Sequence, residues 1–249
     1  MSLLSCGSTD FSQLESQEKK PPILVLIGGY NSCKIPFNTP LNIGLYEASA
    51  SLRAELSERE GFLTIIGCFL PSTSTMQYLF SSDIEHIHKV AVDDFIAAIQ
   101  QTITKISAYD LYVIGHSYGG WVAVRAAAKF PATVRISEFS TLDSVSPLKC
   151  PPKKIAASYA SRHPNPDCTT SPQDQAGENI LTRQRVTFWQ HFYQYTSPYL
   201  HAAPISEASE NLFFDYPDNP GAFAAHANMD IDPRVWNSIN QRILRSEGQ

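Results

Sequence analysis

The sequence predicts an α/β fold: a mainly parallel central sheet with helices on both faces. Three observations carry that expectation. Short continuous apolar runs bounded by Gly or Pro read as buried parallel strands. Between them lie segments whose apolar residues recur every three or four positions, the period of an amphipathic helix. The chain has 249 residues, of which 43% are hydrophobic and 11% aromatic, enough to fill the core of one domain and to exclude wholesale disorder.

Taken in order, residues 1–20 are rich in Ser, Gln and Glu without periodicity and read as a mobile leader. Residues 21–249 read as a single domain with no internal repeat or linker. Pro21-Pro22 opens the run Ile23 to Ile27, closed by Gly28-Gly29, which is the first strand. Leu45, Ala48, Leu52 and Leu56 predict a helix over 44–59, and Phe62 to Ile66 is a second strand. From Ser82 to Ser107 the apolar positions Ile84, Ile87, Ala91, Phe95, Ala98, Ile99, Thr102 and Ile106 predict one long helix. Tyr109 to Ile114 is a third strand. Tyr118 to Phe130 is an Ala-rich helix stopped by Pro131, and Thr133 to Leu142 contains a fourth strand. Residues 148–210 read as an aromatic-rich insert or lid, with a helix over 180–196. Asn211 to Asp215 reads as a last strand. Asp232-Pro233, an N-cap followed by Pro, starts a last helix with Val235, Trp236, Ile239 and Ile243 facing the core.

Charge narrows the partners. With 19 basic and 24 acidic residues the net charge is −5, and no Lys/Arg run occurs, which argues against nucleic acid because phosphate neutralisation supplies most of that affinity. No apolar stretch approaches the roughly 18 residues of a transmembrane helix. Five cysteines, an odd count with no CxxC pair, predict free thiols in a reducing compartment. The segment from Met1 lacks a basic n-region and a full h-region, so a cytoplasmic location is expected, or export without a cleaved signal.

The informative motif is Gly115-His116-Ser117-Tyr118-Gly119, a G-x-S-x-G string. A buried strand runs into it and a small-residue helix leaves it. That context describes a nucleophile elbow, with Ser117 on a sharp strand-to-helix turn and the positive end of the helix beside it. A serine hydroxyl needs a base oriented by a third group. Four histidines follow Ser117: His163, His191, His201 and His226. His226, just before the last helix, is the expected base, because a loop there can return over the carboxyl edge of the sheet. Two acids are candidates. Asp143 ends the fourth strand on the edge where site residues of open α/β sheets collect, and Asp215 ends the last strand. Oxyanion donors are expected from the N–H of Tyr118 and from Gly29 or Tyr30 in the loop after the first strand. Trp189, Phe192 and Tyr193 are candidates either for an acyl pocket or lid or for ordinary core packing. His86-x-His88 reads as a solvated helix start rather than a metal pair, and no HExxH, EF-hand, P-loop or GxGxxG string occurs, so neither a metal nor a cofactor is expected.

Ile27-Gly-Gly-Tyr30, Gly115-His-Ser117-Tyr-Gly-Gly120, Thr141-Leu-Asp143-Ser-Val-Ser-Pro147 and the late His226 together resemble the α/β-hydrolase superfamily, in its lipase- and esterase-like branch. The resemblance implies an α/β-hydrolase fold in which the first strands of the full fold are missing, since little chain precedes Ile23. It favours Asp143 over Asp215 as the acid. It also implies a serine hydrolase acting on a small-molecule or lipid-like acyl ester, with peripheral membrane contact an open idea resting on the aromatics. A thioester or amide substrate on the same triad is the alternative, and a non-catalytic binding module on the same fold is the rival.

Overall fold

The computed structural model describes residues 20–29, 44–70, 75–80, 83–106, 108–162, 168, 175–218 and 223–246. Most of the expected leader and Tyr30 lie outside these residues. The described elements are β1 (Pro22–Gly28), α1 (Gly44–Ala48), α2 (Ala50–Ser57), β2 (Leu63–Leu70), β3 (Thr75–Phe80), β4 (Asp83–Ala91), α3 (Val92–Thr104), β5 (Asp110–His116), α4 (Tyr118–Lys129), β6 (Ile136–Leu142), α5 (Pro152–Ser161), α6 (Ala176–Arg185), β7 (Val186–Tyr193), β8 (Glu210–Phe213), α7 (Ala224–Asn228) and α8 (Pro233–Ser246).

The strands form one eight-stranded sheet in the order β4-β3-β2-β1-β5-β6-β7-β8. Every neighbouring pair from β2 to β8 is parallel, and only β3 runs against its neighbours. From β1, near the middle of the sheet, the described chain winds outward through β2, β3 and β4, then returns past β1 to β5. That edge of the sheet is formed by β3 and β4, which follow β2 in the chain.

Side chains alternate across each strand, and in β1 both sets are buried. Ile23, Val25 and Ile27 join one core with Phe95 and Ile99 of α3, Val122 and Ala126 of α4, Phe139 and Trp189. Leu24 and Leu26 join the other with Leu52 of α2, Ile114, Phe192, and Trp236 and Ile239 of α8. A central strand buried on both faces has to be apolar throughout, which is why the run Ile23 to Ile27 shows no alternation. The start of α8 follows its sequence signal: the Arg234 N–H donates to Asp232 Oδ1 at 2.8 Å, with Pro233 at the first helical position.

Three sequence expectations are corrected. The helix expected from Ser82 begins only at Val92, because residues 83–91 form β4, a hairpin partner of β3. His86 and His88 thus lie on a strand, and His88 stacks on Tyr78 with ring centroids 4.9 Å apart. The helix expected over 180–196 ends at Arg185, and Val186–Tyr193 is an internal strand. The span 148–210 is accordingly not all insert. Finally, Cys150 and Cys168 form a disulfide, and Cys68 is disulfide-bonded too, so the free-thiol reading fails for these three.

Candidate active site

Ser117 sits between β5 and α4 with φ 56° and ψ −128°, a strained conformation for a residue with a side chain. The turn holds because its surroundings over-determine it. The Ser117 N–H donates to Leu142 O at 2.9 Å, and the Ser117 carbonyl accepts from the N–H of Gly120 at 3.0 Å and of Val145 at 3.2 Å. The start of α4 is pressed against β1. A Cβ on Gly119 would lie 2.0 Å from Ile27 O, so no larger residue fits there.

Asp143 follows β6 and is fully buried, with φ 43°. Its N–H donates to Phe192 O at 2.7 Å, which ties the turn to β7. His226 lies on α7, at 5% exposure. The structure brings these three residues together. His226 Nε2 is 2.8 Å from Ser117 Oγ, and His226 Nδ1 is 2.7 Å from Asp143 Oδ2. A carboxylate only accepts, so Nδ1 carries the hydrogen and donates to Asp143, leaving Nε2 to accept from the Ser117 hydroxyl.

Two groups that the sequence reading did not single out hold the carboxylate. Gln194 Nε2 donates to Asp143 Oδ2 at 2.7 Å and also to Leu200 O at 3.1 Å, while Gln194 Oε1 accepts from the Ser197 N–H at 2.7 Å. The Ala202 N–H donates to Asp143 Oδ1 at 2.5 Å. Burial alone would raise the Asp143 pKa. The hydrogen bond and charge of His226, with the Gln194 and Ala202 donors, outweigh it and hold the carboxyl below its ordinary value. No periodic or motif signal marks Gln194, since its role depends on the 194–202 loop folding back over Asp143.

The other candidates are placed as follows. Gly29 lies against the nucleophile: a Cβ there would be 2.4 Å from Ser117 Cβ and 2.8 Å from Ser117 Oγ. Tyr118 opens α4, and its hydroxyl donates to Cys150 O. Asp215 is exposed on the loop after β8, where its Oδ1 accepts from Thr196 Oγ1 at 3.0 Å, away from Ser117 and His226. Trp189 and Phe192 are fully buried on β7, one in each core, and Tyr193 stacks beside His191 with centroids 6.0 Å apart. Trp189 and Phe192 pack within the cores as residues of a strand. His191 is also buried, with Nε2 3.0 Å from Ala203 O and Nδ1 2.9 Å from Thr141 Oγ1; burial lowers its pKa to about 4. His201 Nδ1 lies 2.9 Å from its neighbour Ala202 O, and His163 lies outside the described residues. Beside α4 is a cavity of about 300 Å³ lined by Phe69, Trp121, Pro147 and Leu148, with Asp93 and Arg125 also on its wall. Among the described residues no group of three or more His, Cys, Asp or Glu could hold a metal, and no helix is long and apolar enough to cross a membrane.

In structure the chain is similar to Est1E from Butyrivibrio proteoclasticus, at 12% identity and TM-score 0.47, over 94% of this chain and 92% of that one. It is similar to a Pyrococcus furiosus esterase at 10% identity and TM-score 0.48, over 91% and 82% of the two chains. It is also similar to a structure described as LipS and LipT, two metagenome-derived lipolytic enzymes, at 15% identity and TM-score 0.48, over 93% and 95%. No family model and no curated protein matches it. The mainly parallel eight-stranded sheet, with its strand–Ser117–helix elbow on the carboxyl edge, gives the chain an α/β-hydrolase fold in its own right.

Proposed function

We propose that the chain is a serine hydrolase that cleaves a carboxylic ester through an acyl-enzyme on Ser117. The observation that carries this reading is the unbroken buried relay from Ser117 Oγ to His226 Nε2 at 2.8 Å and from His226 Nδ1 to Asp143 Oδ2 at 2.7 Å. His226 takes the hydroxyl proton as Ser117 Oγ bonds to the acyl carbon, and Asp143 stabilises the imidazolium that results. The Tyr118 N–H, at the positive end of α4, and the N–H of Gly29 or Tyr30 are the candidate oxyanion donors. Collapse of the tetrahedral adduct breaks the ester C–O bond, and His226 hands its proton to the departing alkoxide. Water, deprotonated in turn by His226, then cleaves the acyl-enzyme and restores the Ser117 hydroxyl. None of these steps calls for a cofactor.

An ester is favoured over an amide because an alkoxide is a better leaving group than an amide anion. The lipase- and esterase-like resemblance of the motifs points the same way. A thioester is the next candidate on the same residues. The rival, a non-catalytic binding module, gives no reason for a strained serine, an oriented imidazole and a doubly held carboxylate to coincide. The substrate is a small-molecule or lipid-like acyl compound. The Cys150–Cys168 disulfide favours the exported over the cytoplasmic location, since disulfides persist in oxidising compartments. The test is hydrolysis of p-nitrophenyl esters of increasing chain length. Ser117→Ala should lower turnover by roughly four to six orders of magnitude while leaving the fold intact. Undiminished hydrolysis by that variant would remove Ser117 from the chemistry.

A further inference from the structure

His116, the residue just before the nucleophile, is buried at 4% exposure. Its ring reaches across to the segment that carries the base. His116 Nε2 is 2.8 Å from the carbonyl oxygen of His226, and His116 Nδ1 is 3.6 Å from Asp230 Oδ2, four residues further along the same segment. A carbonyl only accepts, so Nε2 carries the hydrogen and donates it. The two imidazole rings lie 4.9 Å apart, tilted by 35°.

The segment needs such a grip. α7 has only five residues, too short to stand as a helix without tertiary support. The Ala227 N–H donates to Phe223 O at 2.9 Å, and Ala225 and Met229 are buried beneath. Those contacts seat the segment on the sheet, but an apolar seat is non-directional and does not set where the His226 ring points. The hydrogen bond from His116 does act at the backbone of His226 itself.

We propose that His116 is a positioning residue for the general base: by donating from Nε2 to the His226 carbonyl it locks the base segment to the nucleophile turn. His116 and Ser117 are joined by one peptide bond, so any movement of the elbow carries the anchor of His226 with it. The separation of Ser117 Oγ and His226 Nε2 is thereby held from both ends. Burial lowers the His116 pKa and outweighs the opposing pull of Asp230. The ring is then neutral and adds no like charge beside the imidazolium that His226 becomes in each transfer.

This inference rests on the acyl-hydrolase reading, and the test separates the two. Wild type, His116→Gln and His116→Met are compared on p-nitrophenyl acetate, after the Ser117 of the wild type has been checked for labelling by a fluorophosphonate. Gln and Met have nearly the same length and shape, but only Gln carries an N–H at the reach of Nε2. A kcat that falls roughly 10- to 100-fold in H116M, with KM unchanged, and recovers to within about threefold of wild type in H116Q, is the expected result. A purely structural histidine would shift Tm in both variants and leave the kcat of the folded enzyme alone. Equal kcat in folded H116M and H116Q overturns the positioning role, as does a 100-fold loss in folded H116Q if H116M does not fold. A wild type that neither hydrolyses the ester nor labels overturns the acyl-hydrolase reading, and this inference with it.

Discussion

Gly29→Ala is the substitution whose effect can be worked most directly from the structure. The added methyl carbon would lie 2.4 Å from Ser117 Cβ, 2.8 Å from Ser117 Oγ and 3.0 Å from His116 O, whereas an ordinary contact begins near 3.4 Å. The shortfall against the Ser117 side chain is about 1 Å. Ser117 cannot retreat easily, because its N–H and carbonyl are held by Leu142, Gly120 and Val145. Either the hydroxyl turns away from His226 Nε2 or the loop after β1 lifts from the elbow. A displacement of 1 Å in a reacting group costs about 10²-fold in rate, and a lost oxyanion donor costs as much or more. The variant should therefore lose at least about 10²-fold in kcat/KM for p-nitrophenyl acetate, roughly 2.7 kcal/mol of transition-state stabilisation. Its unfolding free energy should fall by only about 1–3 kcal/mol, the ordinary cost of overpacking. Kinetics and thermal melting on the same preparation separate the two effects. A folded G29A enzyme within threefold of wild type would refute the placement of Gly29 against the nucleophile.

Further outcomes follow from the same geometry. Asp143→Asn should lower kcat by about 10⁴-fold, because the amide can donate to His226 Nδ1 and favours the tautomer whose Nε2 is already protonated; steady-state kinetics reads this directly. His191 is neutral in the fold with a pKa of about 4 against an ordinary 6.5, so the unfolded chain binds the extra proton between those values. Its share of stability, about 3 kcal/mol, is full above pH 6.5 and is lost as the pH falls toward 4. The loss of Tm over that window should be shallower in His191→Gln, and an unchanged slope would contradict the assignment. Removing the Cys150–Cys168 disulfide, which spans 18 residues, should cost about 3 kcal/mol in denaturant unfolding.

Much of this arrangement was legible in the sequence, and the exceptions have physical causes. Ile23 to Ile27 and Leu111 to Ile114 are buried on both faces, so their apolar runs could only be internal strands. The elbow was legible because its requirements are local: a strand, a strained serine and small residues where the helix meets β1. Residues 83–91 were misread because Ile84, Ile87 and Ala91 fit a helical spacing, while their conformation is set by pairing with β3. Val186–Tyr193 failed in the opposite way. Its aromatics suit a strand at least as well as a helix, and its central residues Trp189 to Phe192 are buried on both faces with no alternation to betray them. Gln194 and the Ala202 N–H were invisible, since their contact with Asp143 spans 50 or more positions in the chain. His116 was in plain view inside the motif, but nothing local shows that its ring meets a carbonyl 110 positions away.

The proposed chemistry requires that His226 activate Ser117 beside a formed oxyanion site. Labelling of the folded protein with a fluorophosphonate probe, followed by peptide mapping, tests it most directly. A single adduct on Ser117 is expected in the wild type and none in the His226→Ala variant. Folded wild-type protein that stays unlabelled, or that carries its adduct on another serine, would contradict it.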